Sequence, residues 1–167
     1  MATVKSDLIT TLDATTPTLA DNAIFNGKVR AQIATYSPAG ALALNTIVLM
    51  NRVPVEARIL RIMFASDDLG TGGLFDIGFY KPTGEGGAVI DADAIADDVD
   101  VKTAAVAQVN KRFTILDING GGKKVWELAG LTAKPNYAFI DIAITVVEAT
   151  TVAGDFHLIV EFVQMGE

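Results

Sequence analysis

Hydrophobic and polar positions alternate with a period of two over most of this chain, which predicts strands rather than helices. The strongest alternation is in the last third. From Tyr137 to Val147, Ala138, Ile140, Ile142, Ile144 and Val146 fall on one side, with Phe139, Asp141, Ala143 and Thr145 on the other. After a polar loop ending at Gly154, Phe156, Leu158, Val160 and Phe162 alternate with His157, Ile159, Glu161 and Val163. The two segments read as one long β-hairpin, apolar enough on both faces to be covered from each side.

The same reading applied upstream gives a strand over 28–36 with one wet face, then an apolar run over 42–50 that Pro54 ends. Strands follow over 57–65 and 74–80. Gly78 inside the last of these marks a bulge or the close approach of another backbone. Residues 91–107 are ambiguous between a short helix, with Ile95 and Val99 at i and i+4, and an irregular excursion. Residues 112–118 read as a strand that Asn119–Gly120 turns into a further strand over 123–128. About eight strands with short, glycine-rich connections predict an all-β fold: a two-sheet antiparallel β-sandwich, jelly-roll-like. Residues 1–27 read as an extended N-terminal arm, and 28–167 as a single sandwich domain. In the arm, Leu8, Ile9, Leu12, Leu19, Ile24 and Phe25 are candidate interaction residues, because an unattached arm would leave them in water.

Composition narrows the chemistry. At 167 residues with half of them apolar, the chain can bury a core without staples, and with no cysteine it has neither disulfides nor thiolate metal sites. A net charge of −7 argues against a nucleic-acid surface, and no apolar run is long enough for a membrane helix. No signal-peptide pattern opens the sequence, so a protein made and kept soluble is expected.

Reactive constellations are scarce. The single histidine, His157, lies mid-strand, where a structural position is the ordinary reading, and a multi-histidine metal site is excluded. Asp91, Asp93, Asp97, Asp98 and Asp100 form the one acidic run that suggests an ion site. Ala96 and Lys102 replace the glycine and glutamate an EF-hand needs, so a solvated acidic loop is the leading reading and Asp91, Asp93, Asp97 and Asp98 are the weak metal candidates. The glycines at 70–73 and 120–122 lack phosphate-loop spacing and read as hairpin turns. Trp126, the only tryptophan, reads as a core residue ahead of a sugar-stacking platform. No catalytic residue and no cofactor are expected.

Several segments also resemble a known group. Arg52–Leu60 with Pro54, Phe64–Gly70 with Ser66 and Leu69, Phe75–Tyr80 with Asp76 and Gly78, and Trp126–Leu131 together lie within residues 24–164. This pattern resembles small structural proteins of tailed bacteriophages. The resemblance implies a virion component, foremost a head decoration (cement) protein made in the host cytoplasm and carried on the capsid exterior. It further implies a homo-oligomer, commonly a trimer, bound to the major capsid protein, with no catalytic residues. The competing expectation is a carbohydrate- or calcium-binding β-sandwich module of a fibre or tail, resting on the acidic run and Trp126.

Overall fold

A computed structural model of the chain describes residues 28–102, 106–109 and 122–164. Among these residues eight strands are present: β1 (Val29–Tyr36), β2 (Ile47–Pro54), β3 (Arg58–Ser66), β4 (Leu74–Tyr80), β5 (Val89–Asp100), β6 (Val106–Val109), β7 (Phe139–Glu148) and β8 (Phe156–Val163). Among the described residues there are also a short 3-10 turn, Thr83–Glu85, and a one-turn helix, α1 (Val125–Leu128).

The strands form two four-stranded sheets, in the orders β1-β8-β3-β6 and β2-β7-β4-β5, with every pairing antiparallel. Four of these pairings, β1 with β8, β2 with β7, β3 with β6 and β4 with β5, are those of one long ribbon folded back on itself between β4 and β5. Rolling that ribbon brings β8 against β3 and β7 against β4, which divides it into two sheets and produces a jelly roll. The expected fold class is therefore observed.

The expected C-terminal hairpin is not. β7 lies between β2 and β4, and β8 lies between β1 and β3 in the other sheet, so residues 149–155 cross from sheet to sheet. Each strand is the centre of its own sheet, which explains why both are apolar on nearly every residue. The glycine-rich segment at 70–73 is likewise a corner between sheets rather than a hairpin turn. It lies against the 149–155 crossover, where Thr151 N–H donates to the Leu69 carbonyl at 3.2 Å and Asp67 N–H to the Asp155 carbonyl at 2.8 Å. A Cβ on Gly72 would stand 2.4 Å from the Ala149 carbonyl oxygen, so glycine is required there by contact.

The core is the space between the two inner faces. Ile140, Ile142, Ile144 and Val146 of β7 face Leu158 and Val160 of β8, all at 0% exposure. Each such side chain contributes about 1.5–3 kcal/mol through burial. Phe64, Phe75 and Phe156 join β3, β4 and β8, with ring centroids 6.2, 6.3 and 5.4 Å apart in edge and tilted arrangements.

Two further expectations change, and β1 shows which of its residues face the solvent. Residues 89–100 form a strand rather than a helix or an excursion, and their helix-like spacing comes from a wide bulge: Phe79 pairs with Asp91, yet Ile77 pairs with Ala96. The bulged backbone folds over Gly78, where an added Cβ would lie 2.1 Å from the Asp91 carbonyl oxygen and 2.3 Å from the Ala92 carbonyl. The close approach read from Gly78 is thus real. Residues 125–128 form a helical turn rather than a strand, held by the Glu127 carboxylate accepting the Lys124 N–H at 2.7 Å and by Val125 N–H donating to the Ala57 carbonyl at 2.9 Å. Finally, β1 carries its β-branched residues outward. Val29 and Ile33 are 59% and 71% exposed, while Gln32 turns towards β2.

The strand expected at 112–118 and the arm residues Leu8, Ile9, Leu12, Leu19, Ile24 and Phe25 lie outside the described residues.

Gly78→Ala is expected to destabilise the fold by about 3 kcal/mol or more, because backbone must move to admit the methyl group. Urea unfolding followed by tryptophan fluorescence and circular dichroism measures this loss, and a change under about 0.5 kcal/mol would show that the bulge yields freely.

Candidate functional site

Among the described residues, three surface regions stand out for their chemistry or exposed apolar area. The first is acidic and is built by β5. Its bulge places Asp97 and Asp98 beside Asp76 of β4, bringing one carboxylate oxygen from each within 4.8 Å of the others. Asp98, with φ of 49°, turns its own N–H to donate to Asp76 Oδ1 at 3.0 Å. Burial, and then the charges of Asp97, Asp98 and Asp93, push the Asp76 carboxyl above its ordinary value. Asp91 is raised as well, by burial and by its hydrogen bond to Asp93. The four aspartates singled out from sequence are therefore split into two groups. Asp97 and Asp98 join Asp76, whereas Asp91 and Asp93 pair with one another.

Asp76 escaped the sequence reading because it belongs to another strand. The only signal for it was a carboxylate alternating with Phe75 and Ile77, which put it on the outward side. Three carboxylates at this separation could accept a cation, but calcium takes six to eight oxygens, and Asp76 Oδ1 is already engaged by backbone.

The second region is a pair of edge strands. β1 and β2 lie at the same end of the sandwich, and two side chains bridge the gap between the sheets. Gln32 Nε2 donates to the Arg52 carbonyl at 2.8 Å, and Asn51 Nδ2 donates to the Gln32 carbonyl at 3.3 Å. Val29, Ile33, Ile47 and Leu49 stand outward beside this clamp and are all exposed. In register, Ile33 lies opposite Ile159 of β8, which lies opposite Met63 of β3, so an apolar row runs from the edge onto the outer face. On the outer face of the second sheet, Arg52 grips the buried Asp141 with two hydrogen bonds, at 2.6 and 2.8 Å. This pair fixes β2 to β7 and was not legible as a pair in the sequence, since 89 residues separate its members.

The third region is an open cleft of about 640 Å³ between residues 54–56 and 134–139. Glu56 lies in its wall, held by Lys124 at 2.5 Å and Lys134 at 2.9 Å, which together keep its carboxyl below the ordinary range. Phe139 is exposed at the rim.

Neither residue first considered for enzyme or sugar chemistry reaches such an arrangement. His157 is flanked in register by Thr35 and Ala65, which supply no carboxylate to orient it. Trp126 lies on α1, partly buried and packed against the core, with its Nε1 buried. Among the described residues no helix is long and apolar enough to cross a membrane.

Fold and surface together define a jelly-roll sandwich with an apolar edge and an acidic edge, an architecture used by viral capsid and lectin domains among others. Comparison with solved structures points to the same fold in phage particles. A chain of the cyanophage Pam1 capsid asymmetric unit is similar at a TM-score of 0.53 and 15% identity, covering 98% of this chain and 99% of that one. A chain of the Ralstonia phage GP4 capsid is similar at a TM-score of 0.53 and 14% identity, covering 84% and 87%. No protein-family model and no curated protein matches the sequence.

Replacing Asp76 with Asn keeps the acceptor for the Asp98 N–H and removes one of the crowded charges. Because the folded-state pKa of Asp76 is raised, its ionisation costs stability above its folded value and nothing below the unfolded value. Asp76→Asn is therefore expected to raise Tm by about 1–3 °C near pH 7, a gain that fades as pH falls through the carboxylate range. Thermal melts across that range check the sign, and a lower Tm at neutral pH would contradict it.

Proposed function

We propose that this protein is a non-enzymatic virion component that binds the outer surface of a bacteriophage capsid as a decoration, or cement, subunit. The observation that carries the reading is the extent of the fold likeness to the Pam1 capsid chain, which runs over 98% of this chain and 99% of that one. The motif resemblance to small phage structural proteins, within residues 24–164, supports it independently. So does the character of the surface. Exposed apolar residues on β1 and β2 suit contacts between subunits, and a role in strengthening a shell needs shape and buried area rather than reactive groups.

In this role the principal partner is the major capsid protein. The protein itself acts as a homo-oligomer, a trimer being the form the resemblance implies, placed on the capsid exterior after synthesis in the host cytoplasm. The arm residues Leu8, Ile9, Leu12, Leu19, Ile24 and Phe25 are proposed to grip the shell or a neighbouring subunit, by adding a strand to an exposed edge or by burying apolar side chains. A calcium-binding module of a fibre or tail is the second reading, favoured by the grouping of Asp76, Asp97 and Asp98.

Mixing the purified protein with undecorated capsids of the parent phage and sedimenting them tests the first reading. Saturable co-sedimentation at a fixed number of copies per capsid is expected, together with greater resistance of the decorated shells to heat. Folded protein that stays in the supernatant at every concentration would overturn it.

A further inference from the structure

The two ends of the sandwich differ in charge as sharply as in strand order. β1 and β2 form one end and β5 and β6 the other, because they are the outermost strands in their sheets. In a chain of net charge −7, residues 28–55 contain no aspartate or glutamate, and their only charges are Lys28, Arg30 and Arg52. This acid-free stretch is also the one that exposes Val29, Ile33, Ile47 and Leu49. At the far end, β5 carries Asp91, Asp93, Asp97, Asp98 and Asp100 with no basic residue, and exposes Val89. Among the described residues the β1/β2 end is apolar and basic, and the β5 edge is acidic with an apolar start.

An exposed apolar edge strand is a liability that soluble proteins blunt or cover. Here the only charges on β1 and its approach are the basic Lys28 and Arg30, while Val29 and Ile33 stay exposed beside them. Two β1/β2 ends placed together would oppose Lys28 and Arg30 to their own copies, Arg52 being paired with Asp141 of its own chain. Two β5 ends would oppose five aspartates to five more, at a place where Asp76 and Asp91 are already crowded by burial and neighbouring carboxylates. A β1/β2 end against a β5 end instead matches opposite charges.

We propose that the β1/β2 end docks the β5 end of a second copy of this chain, so that copies associate head to tail. Because the two surfaces lie at opposite ends of one molecule, repeating the contact closes a ring when the rotation per copy permits. The inference deepens the homo-oligomer part of the proposed function and rests on it, but its experiment uses no capsids. Loss of shell binding with the oligomer intact would count against the decoration role alone.

The experiment measures mass by light scattering and sedimentation velocity on the full chain. The wild type is expected to form a discrete oligomer whose dissociation constant weakens at least tenfold between about 0.1 M and about 1 M salt, where the screening length falls from about 10 to about 3 Å. Lys28→Glu with Arg30→Glu is expected to give monomer, and Asp93→Lys with Asp97→Lys to give monomer, each keeping the wild-type circular dichroism spectrum. All four changes in one chain restore charge matching and are expected to restore the oligomer. The proposal is overturned by a monomeric wild type, by association that ignores the β5 changes, which would mark a β1/β2 contact between like ends, or by a folded quadruple variant that stays monomeric.

Discussion

The structure depends on one constraint: two apolar sheet faces must cover one another, and each has its most completely buried strand at its centre. Ile140, Ile142, Ile144 and Val146 from β7 and Phe156, Leu158 and Val160 from β8 are fully excluded from water, and they are supplied by neighbouring segments of chain. Had β7 and β8 paired as a hairpin, all of these side chains would have faced the same way, and a second sheet would have had to come from elsewhere. Sending the two strands into opposite sheets makes the C-terminal segment its own cover. The ribbon pairings of β1 with β8, β2 with β7, β3 with β6 and β4 with β5 then follow along the chain.

Around that core, polar contacts fix register rather than supply the main driving force. Gln32 and Asn51 bridge the open end between β1 and β2, Arg52 ties β2 to Asp141, and Arg61 meets Glu161 across β3 and β8 at 2.6 Å. The last of these is partly solvated and contributes little to stability, though it favours one alignment of the strands. At the opposite end the β5 bulge costs regular ladder pairing and concentrates negative charge. The same sandwich therefore has a rigid centre and two chemically distinct edges.

Strand positions were legible in the sequence wherever one face is uniformly apolar, as in β3, β4, β7 and β8. The partition into sheets was not, because period two reports that a residue faces a core without reporting which strand lies beside it. Residues 149–155 could close a hairpin or cross between sheets, and apolar residues on both faces of β7 and β8 fit either course. β5 was obscured because its bulge shifts the alternation midway, so Ile95 and Val99 fall at helical spacing on an irregular strand. α1 was misread because Val125, Trp126 and Leu128 make a short apolar run, and a single turn held by Glu127 and the Ala57 carbonyl has no periodicity to detect. The acidic site was half legible: Asp97 and Asp98 were visible as a run, while Asp76 joins them only through the pairing of β4 with β5.

The molecule offers a partner two contrasting edges, an apolar one at β1 and β2 and an acidic one at β5. Its central claim, a sandwich carried on the outside of a phage capsid, is tested most directly by an electron cryo-microscopy reconstruction of shells saturated with the protein. The account predicts density for an eight-stranded sandwich on the outer surface, with the β1/β2 end of one copy against the β5 end of the next. Saturated shells with a bare outer surface, or density confined to the tail, would contradict it.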